Sequence, residues 1–170
     1  VMVGASYPHK NIEVAIKAFE EIDNCKLIIV GKDSSYILKL KALVKELNIE
    51  EKVKFVGYVP DEDLPTLYGC SKGFLYTTLY EGFGLPILEA MACGALVLCG
   101  NNSSLPEVYG DSALVLDLND VNDVRKKIEL AIKDNKLRNE LLRRSEKNIN
   151  KFSWNKTARE IYNVINKGEN

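Results

Sequence analysis

Hydrophobic positions along the chain switch repeatedly between two patterns, short unbroken apolar runs and stripes at helical spacing. Val1-Met2-Val3, ended by Gly4, is a strand-like run. From Asn11 onward Ile12, Ala15, Ile16, Phe19 and Ile22 recur at a helical period. Lys26-Leu27-Ile28-Ile29-Val30 is rich in β-formers and stops at Gly31, after which Ile37, Leu40, Leu43, Val44 and Leu47 share one helical face. Residues 53–56 predict another strand, closed by Gly57, and Pro60-Asp61-Glu62-Asp63 opens a short helix running through Tyr68. Further strands are predicted at residues 73–76, 95–98 and 112–116, with a helix over 85–93. Residues 120–167 read as two or three helices, broken near Lys151-Phe152-Ser153.

Strands alternating with helices across short glycine-containing connections imply right-handed βαβ units on a parallel sheet. The expected fold is α/β: a doubly wound, Rossmann-like parallel sheet of five or six strands flanked by helices. It forms one domain over residues 1–170, in which 153–170 is a terminal helix. Such folds bind ligands outside the carboxyl ends of the strands, at the switch point of the sheet. The loops after Val3, Val30, Val56, Tyr76 and Leu98 are therefore the ones to search for chemistry.

Composition narrows the function classes. At 170 residues the chain can bury a single-domain core. With 46% hydrophobic and 28% charged residues it is globular in character and not a disordered tail. Lys and Arg number 23 against 24 Asp and Glu, a balance that argues against a dedicated nucleic-acid binder. Charges or glycines interrupt every apolar run well short of the ~20 residues a spanning helix needs. No charged-then-apolar leader precedes the first strand, and the chain opens in mid-strand, so it is expected to be a piece of a longer polypeptide. Cys25, Cys70, Cys93 and Cys99 show no metal-type spacing and His9 is the only histidine, so no metal is expected. Each cysteine has apolar or small neighbours and reads as an inert buried thiol in a reducing cytoplasm.

The common nucleotide and nucleophile motifs of α/β domains fail. No G-x-G-x-x-G follows a strand, no G-x-x-x-x-G-K-[ST] occurs, and a G-x-S-x-G elbow is absent. What stands out is Glu81-Gly82-Phe83-Gly84-Leu85-Pro86-Ile87-Leu88-Glu89. Two glycines bracket an aromatic residue directly before a helix whose first turn holds proline, a residue suited to that place. Glycines without Cβ let a ligand come close, and the free N–H groups of a helix start attract an anion. Glu81 precedes that helix and Glu89 lies about one turn inside it, so the two carboxylates can meet different groups. Spacing alone also fits a plain helix start with surface glutamates.

The paired glutamates around G-F-G-L-P-I-L resemble the signature of retaining glycosyltransferases built from two Rossmann-like domains, the GT-B class, and more narrowly of its large group 1 family. Further landmarks follow the same order along nearly the whole chain. Val3-Gly4 with Pro8-His9-Lys10-Asn11 resembles V-G-x-x-x-P-x-K-N, residues 27–31 resemble L-x-I-V-G, and residues 53–58 resemble V-x-F-x-G-x-V. Asn102 to Gly110 resembles N-x-S-S-L-P-E-V-x-G, and Phe152-Ser153-Trp154 the F-S-W that opens the last helix.

The resemblance implies the carboxy-terminal, donor-binding half of a hexosyltransferase of polysaccharide synthesis, with the isolated piece inactive. It implies that Gly4 and Lys10 face the donor diphosphate, and that Tyr58 and Val59 lie along the nucleobase. Glu81 would contact the transferred sugar at the reacting carbon, and Phe83 and Gly84 would offer backbone N–H groups to sugar hydroxyls. Leu85 would offer its N–H to the diphosphate, and Glu89 would accept from the ribose hydroxyls. Family members commonly carry arginine after the glycine matching Gly4, whereas this chain has Ala5. The donor would be a nucleoside-diphosphate sugar, with no metal and no other cofactor. The variants at residues 8–11 and 103–107 look most like mannosyltransferase members, which leans toward GDP-mannose. A glycan or lipid acceptor would be met through the missing amino-terminal domain, on which residues 153–170 would also pack. The place of work would be the cytoplasm, peripheral at the inner face of the membrane, with no nucleic-acid partner. A nucleotide-sugar hydrolase or epimerase on the same scaffold, and a non-catalytic nucleotide-binding module, are the competing readings.

Overall fold

The computed structural model describes residues 1–167. Six strands alternate with eight helices along them: β1 Met2–Val3, α1 Ile12–Phe19, β2 Leu27–Val30, α2 Ser35–Glu46, β3 Val53–Gly57, α3 Leu64–Gly69, β4 Phe74–Tyr76, α4 Leu85–Ala92, β5 Val97–Gly100, α5 Leu105–Tyr109, β6 Ala113–Leu116, α6 Val121–Lys133, α7 Asn135–Ile149 and α8 Trp154–Lys167. A single 3-10 turn, Pro8–Lys10, lies between β1 and α1.

The strands form two parallel three-stranded sheets, ordered β1-β2-β3 and β4-β5-β6. The two abut at Val1, whose nitrogen donates to the Gly73 carbonyl at 2.8 Å and whose carbonyl accepts from Leu75 N–H at 2.9 Å. The spatial order across both is therefore 3-2-1-4-5-6, the doubly wound arrangement with its switch point between β1 and β4.

The apolar runs are unbroken because both faces of the sheet are covered. Met2, Leu27, Ile29, Leu75, Leu96 and Leu98 point to one core, which they share with the apolar faces of α1, α2 and α6. The alternate residues Phe74, Tyr76, Val97 and Cys99 point to the other, against α4, Tyr68 of α3 and Val108 of α5. This is the period-two alternation of a strand with an apolar partner on each side. Each large side chain so buried contributes about 1.5–3 kcal/mol of transfer free energy.

Helix starts carry the caps that their sequences announce. Ser34 Oγ accepts from Ile37 N–H at 3.1 Å, Asp120 Oδ1 from Asn122 N–H at 2.8 Å, and Asp134 Oδ1 from Leu137 N–H at 2.9 Å. On α7, Asn148 is buried and its amide donates to the Val108 carbonyl at 2.7 Å, tying the helical tail to α5.

Some expectations need correction. The predicted last strand starts one residue late, at Ala113, because Ser112 is buried with its carbonyl accepting from Ser145 Oγ at 3.3 Å. Cys99 is buried as expected, but Cys70 is exposed and Cys25 and Cys93 are only partly covered. Cys70 follows the last turn of α3 where the chain leaves the core, so an apolar neighbourhood in sequence does not become one in space. The tail resolves into three helices, and the side chains of α8 are exposed through residue 166. Residues 168–170 of the expected terminal helix lie outside the described residues.

Gly100 ends β5 where a side chain has no room. A Cβ there would overlap Asn102 Oδ1 and stand 2.6 Å from Leu118 Cδ1. Gly100→Ala is expected to lower unfolding free energy by about 1–3 kcal/mol, the usual cost of overpacking. Urea denaturation of the two proteins measures it, with circular dichroism to show that the fold is retained.

Candidate functional site

Helix α1 leads from β1 toward β2, and α4 leads from β4 toward β5, on opposite sides of the switch point. The loops leaving β1 and β4 therefore open onto one crevice. The first loop carries Lys10, the last residue of the 3-10 turn, and the second carries Glu81. Their side chains form an ion pair, with only 15% and 17% of each exposed.

Threonines bolt the two loops together. Thr77 Oγ1 lies 2.9 and 3.0 Å from the carbonyl oxygens of Lys10 and Asn11, and Thr78 Oγ1 lies 3.2 Å from that of His9. Leu79 N–H donates to the His9 carbonyl at 2.8 Å. Both threonines are buried, so these contacts satisfy groups that water cannot reach.

A second clamp comes from the loop after β5. Asn102 Nδ2 donates to the carbonyls of Thr78 at 2.9 Å and Leu79 at 2.6 Å. Ser103 Oγ accepts from Glu81 N–H at 3.1 Å. Ser104 Oγ lies 3.1 Å from the Glu81 carbonyl and 3.0 Å from that of Phe83. The glutamate loop is thus held from both sides.

Burial alone would raise the Glu81 carboxyl. Hydrogen bonds from Lys10, Tyr76 and Thr78, with the Lys10 charge, outweigh it and hold the group below its ordinary value. Tyr76, the last residue of β4, is buried and shifts the other way, pushed up by burial and then by the Glu81 carboxylate. Lys10 Nζ stands 5.2 Å over the Tyr76 ring and 3.4 Å from its hydroxyl.

The remaining sequence-predicted residues lie at differing removes from this pair. Gly4 takes φ +79°, and a Cβ there would only touch Lys10 Cε at 4.0 Å. Phe83 is exposed, its ring edge-on to Phe152 with centroids 6.0 Å apart. Gly84 precedes α4 at φ +98°, where a Cβ would press Leu105 Cδ2 at 2.9 Å, and Leu85 opens the helix with an exposed side chain. Tyr58 and Val59 follow β3, two strands from β1, and Lys32 Nζ stands 5.2 Å over the exposed Tyr58 ring. Glu89 stays out of the ion pair. It is exposed on α4, with Oε2 3.4 Å from the hydroxyl of Tyr68 on α3.

Ala5 is fully buried against Gly31, its N–H donating to Val30 O at 3.1 Å, so position 5 brings no charge to the crevice. Tyr76, Thr77 and Thr78 did not stand out in the sequence, and Asn102, Ser103 and Ser104 read there as a loop before a short helix. The available signal was the polar run Asn101-Asn102-Ser103-Ser104 directly after β5, since short polar side chains commonly bond loop carbonyls.

Among the described residues no three of His, Cys, Asp and Glu are grouped to hold a metal ion, and no helix is long and apolar enough to cross a membrane. A cleft of about 380 Å³ lies at the amino ends of the strands, beside Val1, Leu27 and Gly73, away from the ion pair. An apolar cleft of about 580 Å³ runs between α4 and the start of α8, lined by Phe83, Leu88, Glu89, Phe152 and Trp154.

The family model described as glycosyl transferases, group 1, matches residues 1–148. O-antigen chain mannosyltransferase B of Escherichia coli is 39% identical over 167 residues, covering 95% of this chain and 44% of that protein. Sucrose-phosphate synthase from Thermosynechococcus elongatus superposes with a TM-score of 0.88 at 25% identity, over 98% of this chain and 45% of that one. HepE of Anabaena, in complex with UDP and glucose, gives a TM-score of 0.87 at 21% identity, over 98% and 48%, a likeness of fold alone. The chain thus spans less than half the length of each of these proteins.

Because the Glu81 carboxyl is depressed in the folded state, it adds stability that is present above its unfolded value, ~4.3, and lost as pH falls through the folded value. Asp123 is depressed too, by Asp117 N–H and Lys127 overcoming burial, and acts in the same sense. Urea midpoints at pH 7 and pH 4 are expected to differ less in Glu81→Gln than in the unaltered protein. An equal difference in both would remove Glu81 from the titrating set.

Proposed function

Because the chain belongs to the group 1 glycosyl transferases, we propose that it is the donor-binding half of a retaining hexosyltransferase that uses a nucleoside-diphosphate sugar. The observation that carries this reading is the Lys10–Glu81 pair, set at the switch point by loops from β1 and β4. A cation for the diphosphate and a carboxylate for the sugar stand side by side there.

In this reading the donor enters over Gly4, where the missing Cβ leaves room beside the Lys10 stem. Lys10 turns from Glu81 to the diphosphate, and the N–H of Leu85, in the first turn of α4, adds a preorganised donor. Negative charge growing on the leaving diphosphate is met by these groups as the bond to the anomeric carbon lengthens. Phe83 and Gly84 offer backbone N–H groups to the sugar hydroxyls, and Glu81 faces the oxocarbenium-like carbon. Tyr58 and Val59 take the base through their backbone. Glu89 accepts from the ribose, where a carboxylate can take two donors at once. No metal is assigned a part.

The sugar is mannose or another hexose, with the mannosyltransferase likeness supporting GDP-mannose. The acceptor, a glycan or lipid, comes through an amino-terminal half. The apolar residues Trp154, Ile161, Tyr162 and Ile165 of α8, all exposed, suit packing on that half. Work at the cytoplasmic face of a membrane goes with such an acceptor. The matches support neither the hydrolase or epimerase reading nor that of a purely binding module.

Two sets of variants test the assignment. Lys10→Ala is expected to weaken nucleoside-diphosphate binding by about 1–3 kcal/mol, the cost of a lost charge-assisted contact. Glu89→Ala is expected to weaken plain diphosphate and sugar nucleotide alike. Glu81→Ala is expected to leave diphosphate binding nearly intact while lowering turnover in a protein that carries both halves, the mark of a contact made in the transition state. Calorimetry with GDP and UDP, beside turnover, decides. Loss of diphosphate binding in Glu81→Ala but not in Glu89→Ala reverses the two roles.

A further inference from the structure

We infer that Lys32 is the second cation for the donor diphosphate, swinging from the ring of Tyr58 to a phosphate when the nucleotide binds. The inference rests on the donor-binding reading proposed above.

The loops leaving the carboxyl ends of the six strands are residues 4–11, 31–34, 58–63, 77–84, 101–104 and 117–120. Together they hold two lysines, Lys10 and Lys32, and no arginine. Lys10 is committed to Glu81, and position 5 is a buried alanine. Among the described residues no carboxylate pairs with Lys32: the acid beside it in sequence, Asp33, pairs with Lys41 at 3.4 Å. The Lys32 Nζ stands instead 5.2 Å over the exposed Tyr58 ring. A cation–π contact at an exposed site is weak. A phosphate can draw Lys32 from it at small cost, whereas Lys10 has to give up a carboxylate.

The loop that carries Lys32 is fixed from both neighbours. On the β3 side, Gly31 N–H donates to the Gly57 carbonyl at 3.0 Å. On the β1 side, Ser6 Oγ donates to the Lys32 carbonyl at 3.3 Å, and Ser34 Oγ to the Ser6 carbonyl at 3.2 Å. Gly31 packs so closely on Ala5 that an added Cβ would stand 3.2 Å from the Ala5 nitrogen. The backbone of Lys32 is therefore held one strand from the Lys10 loop and one strand from Tyr58, while its side chain is exposed. A ligand that touches both Tyr58 and Lys10 spans two strand spacings, about 10 Å. Such a ligand comes within reach of a flexible lysine stem rooted at the end of the middle strand.

The test is calorimetry on Lys32→Ala and Lys32→Arg in a protein carrying this chain with its amino-terminal half. The probes are GDP, UDP and inorganic pyrophosphate. Lys32→Ala is expected to weaken nucleoside diphosphate and pyrophosphate alike, on the order of tenfold, the loss of one contact between charged groups. Lys32→Arg should keep most of the affinity. Binding to the alanine variant should also fall less steeply with added salt, because one charge fewer is there to be screened. Unchanged affinity at low salt overturns the inference and leaves Lys32 an ordinary surface lysine. So does a loss confined to the nucleotides with pyrophosphate unaffected, because a lysine acting only through the Tyr58 ring and the base gives that result. If the unaltered protein binds pyrophosphate but neither GDP nor UDP, the proposed function falls, while the pyrophosphate measurements still decide the part of Lys32. If it binds none of the three, both fall.

Discussion

Lys10 and Glu81 stand 71 residues apart in sequence and touch in space, and that contact depends on β1 lying beside β4. Each strand carries its own crossover to a different side, so the loops leaving them are free to meet above the sheet. Moving either strand one place would separate cation from carboxylate by the width of a strand, about 4.8 Å. The chemistry of the crevice is thus fixed by strand order before any side chain is chosen. The two-sided core supports that order, since β1, β4, β5 and β6 offer alternate residues to the helices on both faces.

Position alone would still leave two loops free to drift. A partly buried pair gains little if its geometry is loose, since desolvation opposes the Coulombic attraction. Here the loops are pinned by hydroxyl and amide groups from two directions. Thr77 and Thr78 hold the lysine turn, while Asn102, Ser103 and Ser104 hold the glutamate loop from the β5 side. Asn102 Oδ1 remains buried without a partner, packed close to Gly100. That arrangement spends one unsatisfied acceptor to direct both Nδ2 hydrogens at the carbonyls of Thr78 and Leu79. A glycine at position 100 is the condition for it.

How much of this was legible in the sequence follows the range of each interaction. Strands covered on both faces leave continuous apolar runs, so β2 and β5 were readable, and Asp120 and the Lys151 break announced the helical tail. The glutamate motif was readable because glycine, proline and aromatic sit within a few residues of one another. The ion pair was not, since nothing local links residue 10 to residue 81. Tyr76 was hidden for a different reason: within Phe74-Leu75-Tyr76 it reads as core, and its ring is core. Only the hydroxyl reaches past the apolar layer, and sequence pattern does not resolve a side chain into its two ends. Cys70 shows the converse error, in which apolar neighbours in sequence were taken for neighbours in space.

Charge balance in the crevice gives the pair a further meaning. Position 5, buried as alanine, supplies no cation, and Lys10 is already neutralised by Glu81. A diphosphate bound as proposed would bring more negative charge than one ammonium can offset, so the helix start and Lys10 would have to share it. The gain from Lys10 is the difference between two pairings, each partly shielded from water. At an effective dielectric near 20, two unit charges 4 Å apart attract by about 4 kcal/mol, so exchanging one partner for another changes far less than creating a pair anew. On the proposed roles, the exchange would also uncover Glu81 beside the sugar as the donor is seated. A pair that is neutral when empty would thereby be polarised by the proposed donor, and the carboxylate would then depend on uncharged donors such as Thr78 to stay in place.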